Sequence, residues 1–202
     1  MDDNTKPDGA TEIDDYSDLI LQGKKFTINE VFEYEYINIS KVILEYLSSV
    51  KRSKKVDFSY EWFQKIHQEM FKDVWQWAGK IRTTELSIGI QAFQVQTALK
   101  QLEGDFKFWR EEEVFNTFEM AARFHHRLVQ IHPFRNGNGR WSRMLSNIYL
   151  KQNGKNPTRW DEKSLSQETD TRTVYIQSLK EADNGDFTKL IALQSVTFND
   201  LQ

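Results

Sequence analysis

The sequence of 202 residues predicts an all-α domain that carries one short β-hairpin. Apolar residues recur at three- and four-residue steps along most of the chain, which is the period of a helix with one buried face. Glycine, proline and asparagine separate these stretches. Only residues 81–95 approach the two-residue alternation of a strand, and Gly89 within them favours a hairpin turn.

The first helix is predicted to begin after Thr27, which forms the Thr-x-x-Glu pattern of a capping box with Glu30. Its apolar stripe should pack on a core and consists of Ile28, Phe32, Ile39, Ile43, Tyr46 and Val50. Residues 1–18 are rich in acidic residues, glycine and proline and are predicted to be disordered. Residues 19–202 are then long enough for a single domain with its own core.

Further helices are predicted by the same spacing. They cover residues 62–71, 99–109, 115–131, 141–148, 164–182 and 186–201. Between residues 131 and 141 the chain carries one proline and two glycines. Because proline cannot continue a helix and glycine accepts unusual dihedrals, we expect a tight loop between two helices there.

Composition narrows the classes of function. The formal net charge of −3 gives no general attraction to nucleic acid or to an anionic membrane. Cysteine is absent, which excludes thiolate chemistry and Cys-ligated zinc and suits a reducing compartment. No stretch approaches the ~20 apolar residues of a membrane span. We therefore expect a cytoplasmic protein without nucleic-acid or membrane partners, whose phosphate chemistry would come from a local site.

The loop at residues 132–143 is suited to an anion. Gly137 and Gly139 allow successive backbone N–H groups to turn into one concavity, and the next helix adds its N-terminal donors. Arg140 and Arg143 are three residues apart on that helix, so both can hold phosphate oxygens from one face. This arrangement fits a polyphosphate better than a single carboxylate.

His132 stands at the start of the loop, where an imidazole of ordinary pKa near ~6.5 can take a proton from a hydroxyl. No Ser or Cys nucleophile is needed if the substrate supplies that hydroxyl, because positioning and charge stabilisation provide most of the catalysis. The glycines lack the Lys-Ser/Thr of a Walker loop, and no strand precedes them as in a dinucleotide fingerprint. The loop therefore predicts chemistry between a hydroxyl and a bound nucleotide.

The string His-Pro-Phe-Arg-Asn-Gly-Asn-Gly-Arg-Trp-Ser-Arg at 132–143 resembles the signature His-x-Phe-x-(Asp/Glu)-Gly-Asn-Gly-Arg-x-x-Arg of the Fic (filamentation induced by cAMP), or Fic/Doc, family. Residues 70–83, 88–89 and 124–131 also read like segments of that family, and within it the chain is similar to the subgroup called mobile mystery protein B. The resemblance implies a helical bundle of about six to eight helices with one β-hairpin flap.

The resemblance also implies an activity: transfer of AMP from ATP to a Tyr, Thr or Ser hydroxyl of a target protein. His132 would deprotonate the hydroxyl, and Phe134 would anchor the loop. The phosphate-binding positions would be Asn136, Gly137, Asn138, Gly139, Arg140 and Arg143. Residues 84–95 match the flap, on which a target backbone adds like a strand, with Ile88 and Phe93 as the predicted contacts.

Asn136 is the one departure from the signature, because the family usually has Asp or Glu there to bind Mg²⁺. An amide offers only a neutral oxygen, so we expect weaker metal affinity at this residue, while phosphates and water still supply ligands. The sequence leaves two alternatives open. One is transfer of another group, such as UMP or phosphate, and the other is a weakly active nucleotide-binding or protein-interaction module.

Many Fic proteins are restrained by a helix of pattern (Ser/Thr)-x-x-x-Glu-(Gly/Asn), whose glutamate pairs with the second arginine of the loop. No clean copy is present here. Glu35 in the first helix is the better candidate, although Val31 stands where Ser or Thr should be, and Ser164-x-x-x-Glu168 is another imperfect match. A solvated helix face is the simpler interpretation of both. The family resemblance nevertheless suggests a bacterial, toxin-like enzyme that is held in check by itself or by an antitoxin.

Overall fold

The computed structural model of the chain describes residues 18–21, 26–48 and 55–196. This part of the chain contains eight α-helices: α1 (Ile28–Tyr46), α2 (Tyr60–Phe71), α3 (Val95–Glu111), α4 (Thr117–Ile131), α5 (Asn138–Gln152), α6 (Glu162–Leu165), α7 (Asp170–Asp183) and α8 (Thr188–Ser195). A 3-10 turn at Ala92–Gln94 precedes α3. None of the helices described combines the length and the apolar character that crossing a bilayer requires.

Two hydrophobic clusters contain residues of α4, and the larger one also contains most of the apolar residues of α5. The larger cluster joins α4 and α5 to α1, α2 and α3, with the rings of Phe106 and Phe124 stacked at 4.0 Å between centroids. The smaller cluster packs α6, α7 and α8 around Ala122 of α4. The loop between α4 and α5 therefore starts and ends on helices that are fixed by the core.

The all-α prediction is confirmed, and several helix boundaries follow the predicted signals. Thr27 and Glu30 form the capping box at the start of α1, with the Thr27 N–H donating to Glu30 Oε2 at 2.8 Å. The helix predicted at 164–182 is divided into α6 and α7, because the Thr169 side chain caps a new helix. Residues 1–17 and 197–202, to which a disordered start and the end of the last helix were assigned, lie outside the described residues.

The predicted apolar stripe of α1 is wrong at Phe32 and Ile43, Ile39 does pack against the core, and the Ile28 side chain and Val50 lie outside the described residues. Phe32 and Ile43 remain 40% and 37% exposed, and Tyr46 is the stripe residue that is fully buried. The inward face also carries two polar side chains, Glu35 and Asn38. Because the prediction considered only apolar residues, it missed a buried face of α1 whose centre is the carboxylate of Glu35.

The hairpin predicted at residues 81–95 is also wrong, because this segment forms bends and a 3-10 turn rather than paired strands. Carbonyl oxygens that a partner strand would engage are bound by a side chain instead. The Arg82 guanidinium donates from Nη1 to Thr84 O at 3.1 Å and from Nη2 to Ile90 O. Gly89, at φ 95°, allows the backbone to turn between those two carbonyls.

Candidate active site

His132 ends α4 in the left-handed region, with φ 53° and ψ 60°, a conformation that costs energy for a residue with a β-carbon. The imidazole Nδ1 lies 3.3 Å from the carbonyl oxygen of Val129. A carbonyl only accepts, so Nδ1 carries the proton and donates it, which places the basic lone pair on Nε2. The backbone turn and the tautomer together present Nε2 as the proton acceptor.

The pKa of His132 is lowered to about 4, mainly by burial and also by the positive charge of Arg82, while the hydrogen bond to Val129 opposes both effects. The ring is therefore neutral near pH 7, as a base must be. Its basicity is weaker than the ordinary imidazole value that the sequence suggested. A bound polyphosphate would bring negative charge close to the ring and raise this pKa toward neutrality.

The amide of Asn138 closes the loop. Its Oδ1 accepts the Phe134 N–H at 2.9 Å, and its Nδ2 donates to Phe134 O at 2.7 Å. The side chain is buried, so a phosphate contact from this residue would have to come through its backbone N–H. Phe134 is itself fully buried, at the position expected of an anchor for the loop.

His67 of α2 contacts the loop through its ring and through a hydrogen bond. Its ring stacks on Phe134 with centroids 3.6 Å apart and planes 12° from parallel. Its Nδ1 accepts the Gly79 N–H at 2.9 Å, so Nε2 carries the proton and donates to Asn136 O at 3.0 Å. Burial lowers the pKa of His67 to about 3, and the charge of Arg140 adds to that lowering, so the ring stays a neutral bridge.

Glycine is required at position 137 for two reasons. Its φ of 77° lies in the left-handed region, and a β-carbon there would stand 2.6 Å from Cζ of Phe71. At Gly139 a β-carbon would lie 3.1 Å from Nη1 of Arg143, so it would crowd that guanidinium. A side chain at either glycine would therefore have to displace Phe71 or crowd Arg143.

Arg140 is held by a buried carboxylate of α1. Its Nη1 donates to Glu35 Oε2 at 2.5 Å, and the indole of Trp75 donates to Glu35 Oε1 at 2.6 Å. Only 1% of the Glu35 side chain is exposed. The Arg140 guanidinium also lies 4.8 Å from the centre of the Phe71 ring. Glu35 thus pairs with the first arginine of the loop, whereas the family resemblance implied the second.

Arg143 is held by a different carboxylate, Glu162 of α6. Its Nε donates to Glu162 Oε1 at 2.8 Å, and its Nη2 donates to Glu162 Oε2. Burial acts to lower the pKa of Arg143, but the charge and hydrogen bonds of Glu162 outweigh it, so the pKa is raised. The Glu162 side chain is 48% exposed. Both predicted phosphate-binding arginines therefore carry a carboxylate in this structure.

The predicted flap lies directly beside His132. A β-carbon at Gly89 would stand 2.5 Å from Cβ of His132. Arg82 joins the two segments, because its Nε donates to His132 O at 2.7 Å while its other nitrogens bind the flap. Ile88 is half-buried and Phe93 is 77% exposed, so Phe93 has most of its ring available for contact.

Comparison with known proteins decides the family. Residues 57–150 match the model of the Fic/DOC family. This chain carries a Fic/DOC domain. The matched range contains α2 to α4, the flap, the whole loop and most of α5, whereas Glu35 of α1 and Glu162 of α6 lie outside it.

Curated relatives and solved structures agree with this assignment. The Caenorhabditis briggsae protein adenylyltransferase fic-1 is 34% identical over 125 residues, which are 58% of this chain and 23% of that protein. A Nematostella vectensis protein adenylyltransferase Fic is 27% identical over 154 residues, covering 73% of this chain and 34% of that protein. The chain therefore spans about a quarter to a third of the length of these relatives.

The fold of the Fic domain is shared with solved structures. Fic-1 from C. elegans superposes with a TM-score of 0.64 at 23% identity, covering 87% of this chain and 50% of that one. BepC from Bartonella tribocorum, solved with bound AMPPNP, gives a TM-score of 0.59 at 19% identity and covers 84% of this chain and 86% of that one.

The protein's own side chains do not fit a resident magnesium ion. Among the described residues, no three His, Cys, Asp or Glu side chains lie close enough to hold a metal. Asn136 supplies one neutral oxygen, which already accepts the Gly137 N–H at 2.6 Å. Magnesium in proteins usually takes one or two carboxylates plus substrate phosphates. We therefore assign no catalytic step to an ion held by the Fic domain itself.

Three contributors to the site were missed by sequence reasoning: His67, Arg82 and Glu162. Arg82 lies within the segment 70–83 that resembles the family, so its place there was a usable signal. His67 has the spacing of a core residue of α2, and Glu162 stands at the start of a helix of four residues. No sequence pattern distinguishes His67 from an ordinary core residue or Glu162 from an ordinary surface residue.

Proposed function

We propose that this Fic domain transfers AMP from ATP to a hydroxyl of a target protein. The observation that supports this most is the neutral His132 imidazole, whose Nδ1–H is held by Val129 so that Nε2 is the proton acceptor. The glycine-lined loop and two arginines lie next to it in sequence and structure. The names of the curated relatives, protein adenylyltransferases, point to the same reaction.

The reaction balances with the groups on this chain. The target hydroxyl oxygen forms a bond to the α-phosphorus, the bond from that phosphorus to the bridging oxygen breaks, and pyrophosphate leaves. The hydroxyl proton goes to Nε2 of His132. Backbone N–H groups of the loop and the start of α5 stabilise the charge on the phosphates. Magnesium would enter with ATP, as part of the substrate.

We assign the β- and γ-phosphates to Arg140 and Arg143, with Gly137 and Gly139 shaping the cavity and Asn136 and Asn138 contributing from the loop. Each arginine must exchange a carboxylate for phosphate before it can do so. We therefore propose that the Fic domain is restrained, and that Glu35 contributes to this by occupying Arg140. An antitoxin that strengthens the restraint, and membership of the mobile mystery protein B subgroup, also remain proposals.

The flap is proposed to dock the target, with Ile88 and Phe93 as contacts. Its extended stretches carry no strand partner, so a target backbone can approach them, although Thr84 O and Ile90 O are already used by Arg82. A Tyr, Thr or Ser hydroxyl held over the loop would then face His132. A bacterial source, the cytoplasmic setting and the limits of the domain, residues 19–202, are part of the same proposal.

The reaction class can be tested with ATP labelled at either the α- or the γ-phosphate, incubated with the full chain, magnesium and cell lysate. We expect protein-bound label from the α position and none from γ, and no transfer by His132→Ala. Label from γ alone would instead support a kinase. Labelled UTP in a parallel reaction tests UMP transfer. ATP binding without any transfer would support the alternative of a nucleotide-binding module.

A further inference from the structure

We propose that Arg82 is a positioning residue that holds residues 84–91 of the flap and the backbone of His132 in one fixed relation. The proposal rests on the proposed function, because it names the group that would align a docked hydroxyl with the base. Arg82 precedes the flap and lies 50 residues before His132 in the sequence.

The guanidinium of Arg82 reaches both segments with separate N–H groups. Nε donates to His132 O at 2.7 Å, Nη1 to Thr84 O at 3.1 Å, and Nη2 to Ile90 O. The side chain is buried, and the carboxylate of Glu85 lies 3.9 Å away on an exposed side chain. All three guanidinium hydrogen bonds are made to backbone carbonyls, so Arg82 fixes the path of the main chain.

The backbone of Arg82 adds a fourth connection. Its N–H donates to Pro133 O at 2.9 Å, directly after His132. The two successive carbonyls of His132 and Pro133 are therefore both bound by Arg82. Since His132 occupies a left-handed conformation that is costly for a residue with a β-carbon, hydrogen bonds that hold its carbonyl also hold that conformation.

The flap lies so close to the base that its position matters. A β-carbon at Gly89 would stand 2.5 Å from Cβ of His132, 3.1 Å from Nη2 of Arg82 and 3.2 Å from Ile131 O. The flap forms no strand ladder, and the guanidinium bonds to Thr84 O and Ile90 O, with the Ala92 N–H donated to Glu85 Oε1 at 2.9 Å, help to define its shape. The position of the flap therefore determines where the hydroxyl of a docked target lies relative to His132. A displacement of that hydroxyl by ~1 Å can lower the reaction rate about 100-fold.

The test compares Arg82→Lys with Arg110→Lys. Lysine keeps the charge but cannot form the same fork of hydrogen bonds. Arg110 is a matched control, since it is exposed and lies over the rings of Phe58 and Phe106, away from the loop. We expect Arg82→Lys to lower kcat per folded molecule for transfer of α-labelled AMP about 100-fold, while the KM for ATP changes little. Arg110→Lys should match the wild type.

A second variant, Arg82→Ala, makes the assignment sharper. Guanidinium ion at a non-denaturing concentration should restore part of its activity, because the ion can occupy the space and donate to the same carbonyls. The same ion should not help His132→Ala. If Arg82→Lys transfers AMP at the wild-type rate, or loses ATP affinity, thermal stability and kcat together, the positioning role is contradicted.

Hydrogen exchange separates this proposal from the proposed function. In Arg82→Lys the amides of residues 84–91 should exchange faster, and the imidazole NMR signals of His132 should shift, whether or not the wild-type chain transfers AMP. If the wild type does not transfer AMP but Arg82→Lys shows these changes, the proposed reaction is contradicted and the coupling between the flap and His132 is supported. Unchanged exchange and unchanged His132 signals would overturn the coupling, even with an active wild type.

Discussion

Arg140 and Arg143 are held by carboxylates that differ in their exposure to water. Glu35 on Arg140 is 1% exposed and also accepts the Trp75 indole, whereas Glu162 on Arg143 is 48% exposed and belongs to a helix of four residues. A buried ion pair becomes costly when one partner is removed, while a solvated carboxylate can exchange for another anion at little cost. The pairs therefore differ in how readily each arginine becomes available to phosphate.

The largest effect is expected at the buried pair. Glu35→Ala should lower the free energy of unfolding by about 3 kcal/mol, because it leaves the Arg140 charge and the Trp75 N–H without their acceptor. Urea unfolding measures this, with Glu33→Ala on the exposed face of α1 as the control. A Glu35→Ala protein that is as stable as Glu33→Ala would remove the distinction between the two pairs.

The same variant also tests restraint. If Glu35 holds Arg140 away from phosphate, Glu35→Gly should raise self-modification with α-labelled ATP despite its lower stability. If Glu35→Gly and the wild type have the same turnover per folded molecule, Glu35 has a structural role only. The two measurements are needed together, since one reports on the fold and the other on access to the arginine.

Acid should act through the buried histidines around the site. All four histidines of the chain have a lowered pKa, first because of burial, to about 3 for His67 and His125 and about 4 for His132. In the unfolded chain the histidines bind protons near pH 6.5, whereas in the folded chain they stay neutral down to a lower pH. The free energy of unfolding should therefore fall as the pH decreases from about 6.5 toward 4. Urea midpoints measured across this range should decrease, and a flat profile would contradict the burial of these rings.

A smaller effect is expected at the Arg143–Glu162 pair, in which the arginine is buried but the carboxylate is 48% exposed to water. Glu162→Gln should change the free energy of unfolding by less than about 1 kcal/mol and should tighten ATP binding, because Arg143 loses its competing anion. Calorimetric titration with ATP tests this, and Glu168→Gln provides a matched control on an exposed glutamate nearby. Weaker ATP binding by Glu162→Gln would mean that this carboxylate positions Arg143 rather than competing for it.

The smallest effect is expected at Asn136, whose side chain contributes a single neutral oxygen. Asn136→Asp should make transfer rise more steeply with magnesium concentration, because a carboxylate attracts the ion that the amide does not. Initial rates at several magnesium concentrations are the measurement. An identical magnesium dependence in both proteins would mean that this side chain does not lie beside the ion.

The sequence predicted the helices and the loop because their signals are local. The capping box at Thr27, the glycines of the loop and the spacing of Arg140 and Arg143 act over one or two turns. The predictions that failed depend on distant partners. α1 turns Glu35 inward because Arg140 and Trp75 lie there, and the flap avoids strand pairing because Arg82 binds its carbonyls. No periodicity in a single segment contains that information.

The central claim is that His132 accepts the proton in AMP transfer and is not needed for nucleotide binding. The most direct measurement compares ATP affinity and the rate of α-label transfer in the wild type and His132→Ala. We expect affinity within about twofold and a rate at least about 100-fold lower, since a general base contributes about that much. Transfer by His132→Ala at the wild-type rate would contradict the account.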